Sequence, residues 1–283
     1  MKTQAMRRLA VALLVLVAGA CARHEAPPVG VAVAGGNMPA LPPLAPQDAK
    51  LEPAALEAAA NIARYAGSDA LLIARNGHLL LERYWHDTTF ATPVAAGAWQ
   101  GVIDDLLVGA LVNDRRLIDT EALPSRGAIE QAAGSDLAAY LSKRLWRPIG
   151  AADAMLAPDL LAAQGDWIRI GEILANDGVY QGEEIVPPGW VQRLLARRAV
   201  PLDATGAMPD RGAYRLPGAG GSCLWIVPTL RLVVLRTGGQ ADADRASPDA
   251  TILDAVIRGA IDRPRAAHAD GDEPDPSVFV PTH

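Results

Sequence analysis

The sequence predicts an α/β (α+β) chain, an antiparallel sheet flanked by helices with a helical lobe inserted between its strands. Three observations lead there. Two apolar runs, Leu71–Ala74 and Leu79–Tyr84, flank an Asn76-Gly77 pair, the strongest short-range signal of a β-hairpin. A second strand pair, Cys223–Val227 and Leu232–Leu235, lies near the far end of the chain, with Pro228 close to the turn. The segment between the two pairs carries mainly helical spacing. Strands at both ends with helices between them suggest one α/β lobe interrupted by a helical one.

Taken in order, the chain opens on MKTQAMRRLAVALLVLVAGAC. Lys2, Arg7 and Arg8 form a positive n-region, Leu9 to Ala18 a short apolar h-region, and Ala18-Gly19-Ala20 the small residues that precede cleavage, so residues 1–20 are expected to be a signal peptide. The apolar run is too short for a comfortable membrane span. VAGAC resembles a bacterial lipobox, which makes Cys21 a candidate lipidated N-terminus of the mature chain. Ala18-x-Ala20 also fits ordinary signal-peptidase cleavage. Ala22 after the cysteine favours the outer membrane. Residues 21–52 are rich in Pro, Ala and Gly without a persistent period and are expected to be a disordered tether. Residues 263–283 are similar and are expected to form a disordered tail. The folded domain is then 53–262.

Within it, Pro53–Ala66 is a helix with proline in its first turn. Val102, Ile103, Leu106, Leu107, Ala110 and Leu111 recur at helical spacing. Ala128–Ala133 and Asp136–Trp146 are helical, with Ser135 a candidate cap and Pro148 the stop. Asp166–Asn176 is a helix ended by Asp177-Gly178. Pro188–Arg197 is another, and Ala250–Ile261 closes the fold. Half of the 283 residues are apolar, enough for a sizeable core, and the net charge of −6 leaves neither nucleic acid nor an anionic membrane surface as an electrostatic partner.

Five stretches, in this order, resemble the serine β-lactamase and penicillin-binding-protein superfamily, in its class C-related branch of esterases and amide hydrolases. They are SDALLIARNGHLLLERYW, LLVGALVNDRRLID, IEQAAGSDLAAYLSKRLWRPIGAADA, DWIRIGEILANDGVYQGEEIVPPGWV and GAGGSCLWIVPTLRLVVLRTG. The resemblance implies a β-lactamase/transpeptidase-like fold and a serine acyl-enzyme mechanism built on three motifs. The first is S-x-x-K at the start of a helix, where Ser attacks a carbonyl and Lys takes or positions its proton. Its positions here are Ala98 and Gly101, and no S-x-x-K occurs anywhere in the chain. The second is Y-x-N, which none of the five tyrosines offers; the run LPSRGAI stands where the family has several dozen residues, which implies a reduced helical lobe. The third is a glycine-rich strand box, here Gly218-Ala219-Gly220-Gly221-Ser222. Its glycines would let a substrate backbone approach closely. Arg236-Thr237-Gly238 imitates K-T-G but follows the next strand, a coincidence.

No catalytic residue is therefore assigned. Trp99, Gly220, Gly221 and Ser222 are the candidates for a residual cleft, and Trp225 is a further one, although all the tryptophans also read as core residues. Ser222 as a nucleophile would need a base that the sequence does not supply. His86-Asp87 reads as a polar loop, and Asp104-Asp105 as charges on a helix surface. The five histidines show no ligand spacing, so no metal site is expected. Gly220-Gly221 is not followed by Lys-Ser/Thr, so no phosphate loop and no cofactor are expected. Cys223 reads as a buried free thiol. The expected role is binding or scaffolding at the cell envelope, towards peptidoglycan fragments or an envelope protein, with the membrane reached through the N-terminal lipid. The alternatives are a weak hydrolase with a relocated nucleophile and a decaying remnant.

Overall fold

The computed structural model describes residues 30–118, 124–202, 212–239 and 249–261. The expected signal peptide, Cys21 and the 263–283 tail lie outside the described residues. In chain order the elements are β1 (Val31–Val33), α1 (Pro53–Tyr65), β2 (Ser68–Arg75), β3 (His78–Tyr84), β4 (Pro93–Ala95), α2 (Trp99–Asn113), α3 (Arg126–Ala133), α4 (Leu137–Leu141), β5 (Ala154–Ala157) and β6 (Asp159–Ala163). They continue with α5 (Gln164–Ala175), β7 (Val179–Tyr180), β8 (Glu183–Glu184), α6 (Trp190–Arg198), β9 (Val200–Leu202), β10 (Ala213–Pro217), β11 (Cys223–Val227), β12 (Leu232–Gly238) and α7 (Asp249–Arg258). A wide turn of π-helix, Ser142–Trp146, extends α4.

The main sheet is antiparallel, in the order β3-β2-β12-β11-β10-β9. Its β2–β3 turn has Asn76 at φ 52° and Gly77 at φ 75°, the two positive angles that a tight hairpin turn requires. The central strands are buried on both faces, so alternate residues feed two cores. Leu72, Ala74, Leu224, Ile226, Val233 and Leu235 face the core that holds α2 and α5. Leu71, Ile73, Trp225, Val227, Leu232 and Val234 face the core under α1 and α7. Every residue of α5 is buried. Gly171 lets it lie directly on the sheet, since a Cβ there would stand 2.3 Å from Val233 Cγ1.

A second antiparallel sheet, β1-β5-β6-β4, was not visible in the sequence. Its strands have three to five residues each, too few and too alanine-rich to show a period of two.

The expected tether to residue 52 is corrected from Gly30 onward. β1 pairs with β5, Asn37 N–H donates to Ala151 O (2.9 Å), Met38 N–H to Gly150 O (3.0 Å), Leu44 N–H to Leu79 O (3.0 Å), and Leu79 N–H to Pro42 O (3.0 Å). Val33, Leu41 and Leu51 are buried. The cause is a side chain remote in sequence. Arg169, buried on α5, donates to Pro39 O (2.6 Å), Met38 O (3.2 Å) and Ile149 O (2.8 Å). Its charge is balanced by Asp166 at 3.8 Å. An irregular segment held by its backbone carbonyls needs no side-chain pattern of its own.

Arg169→Met is therefore expected to cost about 3 kcal/mol, because three carbonyls and one buried carboxylate lose their partner. Hydrogen exchange at Asn37 and Met38 should accelerate beyond the global change. Unaltered protection at those two amides would show that the segment is held by other contacts.

Candidate functional site

The S-x-x-K positions lie at the N-terminal end of α2. Gly97 turns the chain at φ 52° into Ala98, which caps α2 with an exposed methyl group and helical angles. The glycine-rich box packs directly on this entry: a Cβ on Gly97 would stand 2.9 Å from Ala219 Cβ. Trp99 does not line the cleft. It is 2% exposed, donates from Nε1 to Leu216 O (2.9 Å), covers Gly218 and meets Trp167 at 5.0 Å between ring centroids. It joins α2 to β10 as a core residue.

Gly101, one turn into α2, is covered by a cation from another element. The Arg198 guanidinium at the end of α6 lies so close that a Cβ at position 101 would stand 2.9 Å from Nη1 and 3.0 Å from Cζ. Arg198 is held there by Asp105, through Nε to Oδ2 at 3.0 Å, with Arg197 at 3.5 Å. Asp105 is 1% exposed, which overturns its reading as a surface charge. Its backbone carbonyl also accepts from Trp190 Nε1 (3.0 Å). Asp104, the other half of the pair, turns towards Gln100 and Arg126. Adjacent helix residues point about 100° apart, so one of the two was free to enter the core.

The residual cleft is a space of about 290 Å³ that includes Asp69, Gln164, Ala219, Gly220, Ser222 and Thr237 in its walls. Of the expected cleft residues it brings together Gly220 and Ser222. Gly221 belongs to the turn behind them, where a Cβ would collide with Gly239 O at 1.9 Å. Trp225 projects to the opposite core and plays no part. Ser222 is buried, and its N–H is engaged by Ala219 O (2.9 Å), so that amide is not free to hold an oxyanion. Among the described residues no hydrogen bond links Ser222 Oγ to a histidine or carboxylate. His86 pairs with Asp69 at 3.0 Å rather than with Asp87, and both are open to solvent. Thr237 Oγ1 donates to Gln164 Oε1 (2.8 Å).

Arg236-Thr237-Gly238 is a structural clamp. Arg236 reaches Gly221 O (2.8 Å), Gly238 O (2.9 Å) and Asp249 Oδ1 (2.8 Å), tying the glycine turn to α7. Cys223, beside it, is a buried free thiol whose pKa burial pushes up to about 12.

A larger groove, about 900 Å³, lies at the other end of the same strands, beside the β2–β3 turn and Pro228. Glu172 of α5 is part of its wall. Sequence reasoning passed over Glu172, which shares α5 with Asp166 and Arg169 and so did not stand out as a lone charge. The carboxyl is 1% exposed, and Oε2 accepts from Gly77 N–H (2.9 Å) and Asn176 Nδ2 (3.1 Å). Burial raises its pKa to about 7, against the hydrogen bonds that lower it.

No protein-family profile matches the sequence, and no curated protein does. Solved structures do match. A Bacillus anthracis protein assigned as a 6-aminohexanoate-dimer hydrolase aligns with TM-score 0.60 at 14% identity, over 82% of this chain and 90% of its own. A penicillin-binding-protein homologue from Caulobacter crescentus aligns with TM-score 0.51 at 12% identity, over 73% and 97%. A β-lactamase from Mycobacterium bovis aligns with TM-score 0.50 at 11% identity, over 70% and 99%. The fold is that of the β-lactamase and penicillin-binding-protein-like serine hydrolases.

Glu172 gives a pH dependence of defined sign. Between its ordinary value of 4.5 and the folded value of about 7, the native state keeps a proton that the unfolded chain has released. Stability contributed by this group therefore falls as pH rises through that window, by on the order of 3 kcal/mol once it is ionised. Glu172→Gln should match the wild type near pH 4.5 and exceed its thermal stability at pH 8. A difference between the two that does not change with pH would contradict this.

Proposed function

We propose that this chain is an exported β-lactamase-like protein that binds rather than hydrolyses, anchored to the outer membrane by a lipid on Cys21. Peptidoglycan fragments or an envelope protein are the partners we assign to it. The observation that carries the reading is the state of the α2 entry. The position of the nucleophile is an alanine, the position of the base is a glycine, and Arg198 is packed against that glycine by its ion pair with the buried Asp105. An acyl-enzyme route needs a nucleophile, a base within hydrogen-bond reach and free oxyanion donors. Restoring a lysine at 101 would first require Arg198 to leave. The solved neighbours support the ancestry of the cleft, and the N-terminal n-region, h-region and VAGAC support export and lipidation.

The exported chain from residue 22 onward, treated separately with a fluorophosphonate and with a penicillin and weighed intact, tests the reading. No mass increase on a folded sample is expected. A stoichiometric adduct that disappears in Ser222→Ala would replace binding with hydrolysis by a relocated nucleophile.

A further inference from the structure

Four acidic side chains among the described residues are buried: Asp105, Asp166, Glu172 and Asp249. Three of them are balanced by arginine. Asp105 has Arg197 and Arg198, Asp166 has Arg169, and Asp249 has Arg215 and Arg236. Glu172 has no such partner. Both bonds it accepts come from neutral donors and go to Oε2, while Oε1 is buried without any hydrogen-bond partner. A buried carboxylate with one oxygen unpaired and no countercharge is costly unless something else supplies both.

The groove is the place from which something else can come. Its volume of about 900 Å³ is three times that of the residual cleft and suits a small organic ligand. Leu41, Leu174, Val191 and Leu195 give it aliphatic walls, Asn76 and Gln192 add neutral amides, and besides Glu172 its acidic and basic side chains are His78, Asp177 and Arg231, none of them paired with Glu172 among the described residues. It is remote from the α2 entry. α5 runs from Gln164 at the cleft to Glu172 at the groove, roughly 12 Å at 1.5 Å per residue. The motifs of the first site therefore say nothing about the second.

We infer that this groove is a second ligand site, which takes a small amphiphilic amine, its ammonium group paired with Glu172 and its hydrocarbon stem along the aliphatic wall. An ammonium supplies both missing elements at once, a hydrogen-bond donor for Oε1 and a positive charge. A hydroxyl supplies only the donor, and a carboxylate supplies neither. The raised pKa of Glu172 agrees with a site that lacks its cation, since pairing favours the charged form. The inference is independent of whether the cleft at Ala98 can be acylated.

Three probes of equal chain length separate the contributions: n-hexylamine, 1-hexanol and hexanoate, titrated at pH 7.5 into the chain from residue 22 onward and followed by amide NMR. Hexylamine is expected to shift the amides of Gly77 and Asn176 and to bind at least tenfold more tightly than hexanol, with hexanoate weakest. Glu172→Gln keeps an acceptor for Gly77 N–H and folds, and it should bring the amine down to the affinity of the alcohol. Glu172→Asp serves as the charge-retaining control and should keep part of the preference for amine. Equal binding of amine and alcohol, undiminished amine binding by Glu172→Gln, shifts confined to the α2 entry, or no binding of any probe would each overturn the proposal.

Discussion

The buried carboxylate of Asp105 fixes the geometry of the α2 entry. An ionised group at 1% exposure has to be paired, and the pairing must come from whichever cation can reach it. Here that cation is at the end of α6, and the approach of Arg198 to Asp105 carries its guanidinium across the face of Gly101. Trp190, on the same helix, caps the backbone carbonyl of Asp105, so α6 is pinned to α2 by side chain and main chain together. The space beside Gly101 is thus filled. A side chain at 101 competes with one of the contacts that join the two helices, the others being Arg197 to Asp105 and Trp190 to the Asp105 carbonyl.

The other wall of the cleft obeys a comparable constraint. The glycine turn brings Gly221 against Gly239 at a distance no side chain allows, and Arg236 bonds the carbonyls on both sides of that crossing. Of the glycines that looked like an approach path for substrate backbone, Gly221 is required by the approach of the chain to itself, while Gly220 faces open space. Together the two constraints set the shape of both walls of the cleft. The cleft is narrowed by packing and by charge pairs to a space of about 290 Å³ beside the central sheet.

The parts of this fold legible in the sequence were the long periodic ones. The Asn76-Gly77 hairpin, the apolar stripe of α2, the α5 helix and the β11–β12 pair all sit where their patterns put them. What stayed hidden depends on partners far away in the chain. β1, β4, β5 and β6 are short and rich in alanine, and residues 30–52 are held by side chains far along the sequence, among them Arg75, Ser142, Asp153 and Arg169. Asp105 looked like one of two solvated charges because its arginines lie more than ninety residues on. Trp225 was misplaced although strand alternation could have placed it. Ser222, Leu224 and Ile226 share one side of β11, so Trp225 has to face the other. Glu172 gave no sign of its isolation in the sequence, because Asp166 and Arg169 share α5 with it and only the fold shows that Arg169 pairs with Asp166.

The claim that Gly101 is glycine because Arg198 occupies its side-chain space is tested most directly by the stability of four proteins: the parent, Gly101→Ala, Arg198→Ala and the double variant. In the parent, the added methyl meets the guanidinium and should cost about 1–3 kcal/mol. With Arg198 removed, the same substitution is an ordinary glycine-to-alanine change inside a helix and should stabilise by about 0.5–1 kcal/mol. Arg197 remains beside Asp105 and keeps the α2–α6 contact in place. A reversal of sign in the denaturation midpoint is the predicted result. The same effect in both backgrounds would mean that Arg198 does not hold the position, and that the entry to α2 is open.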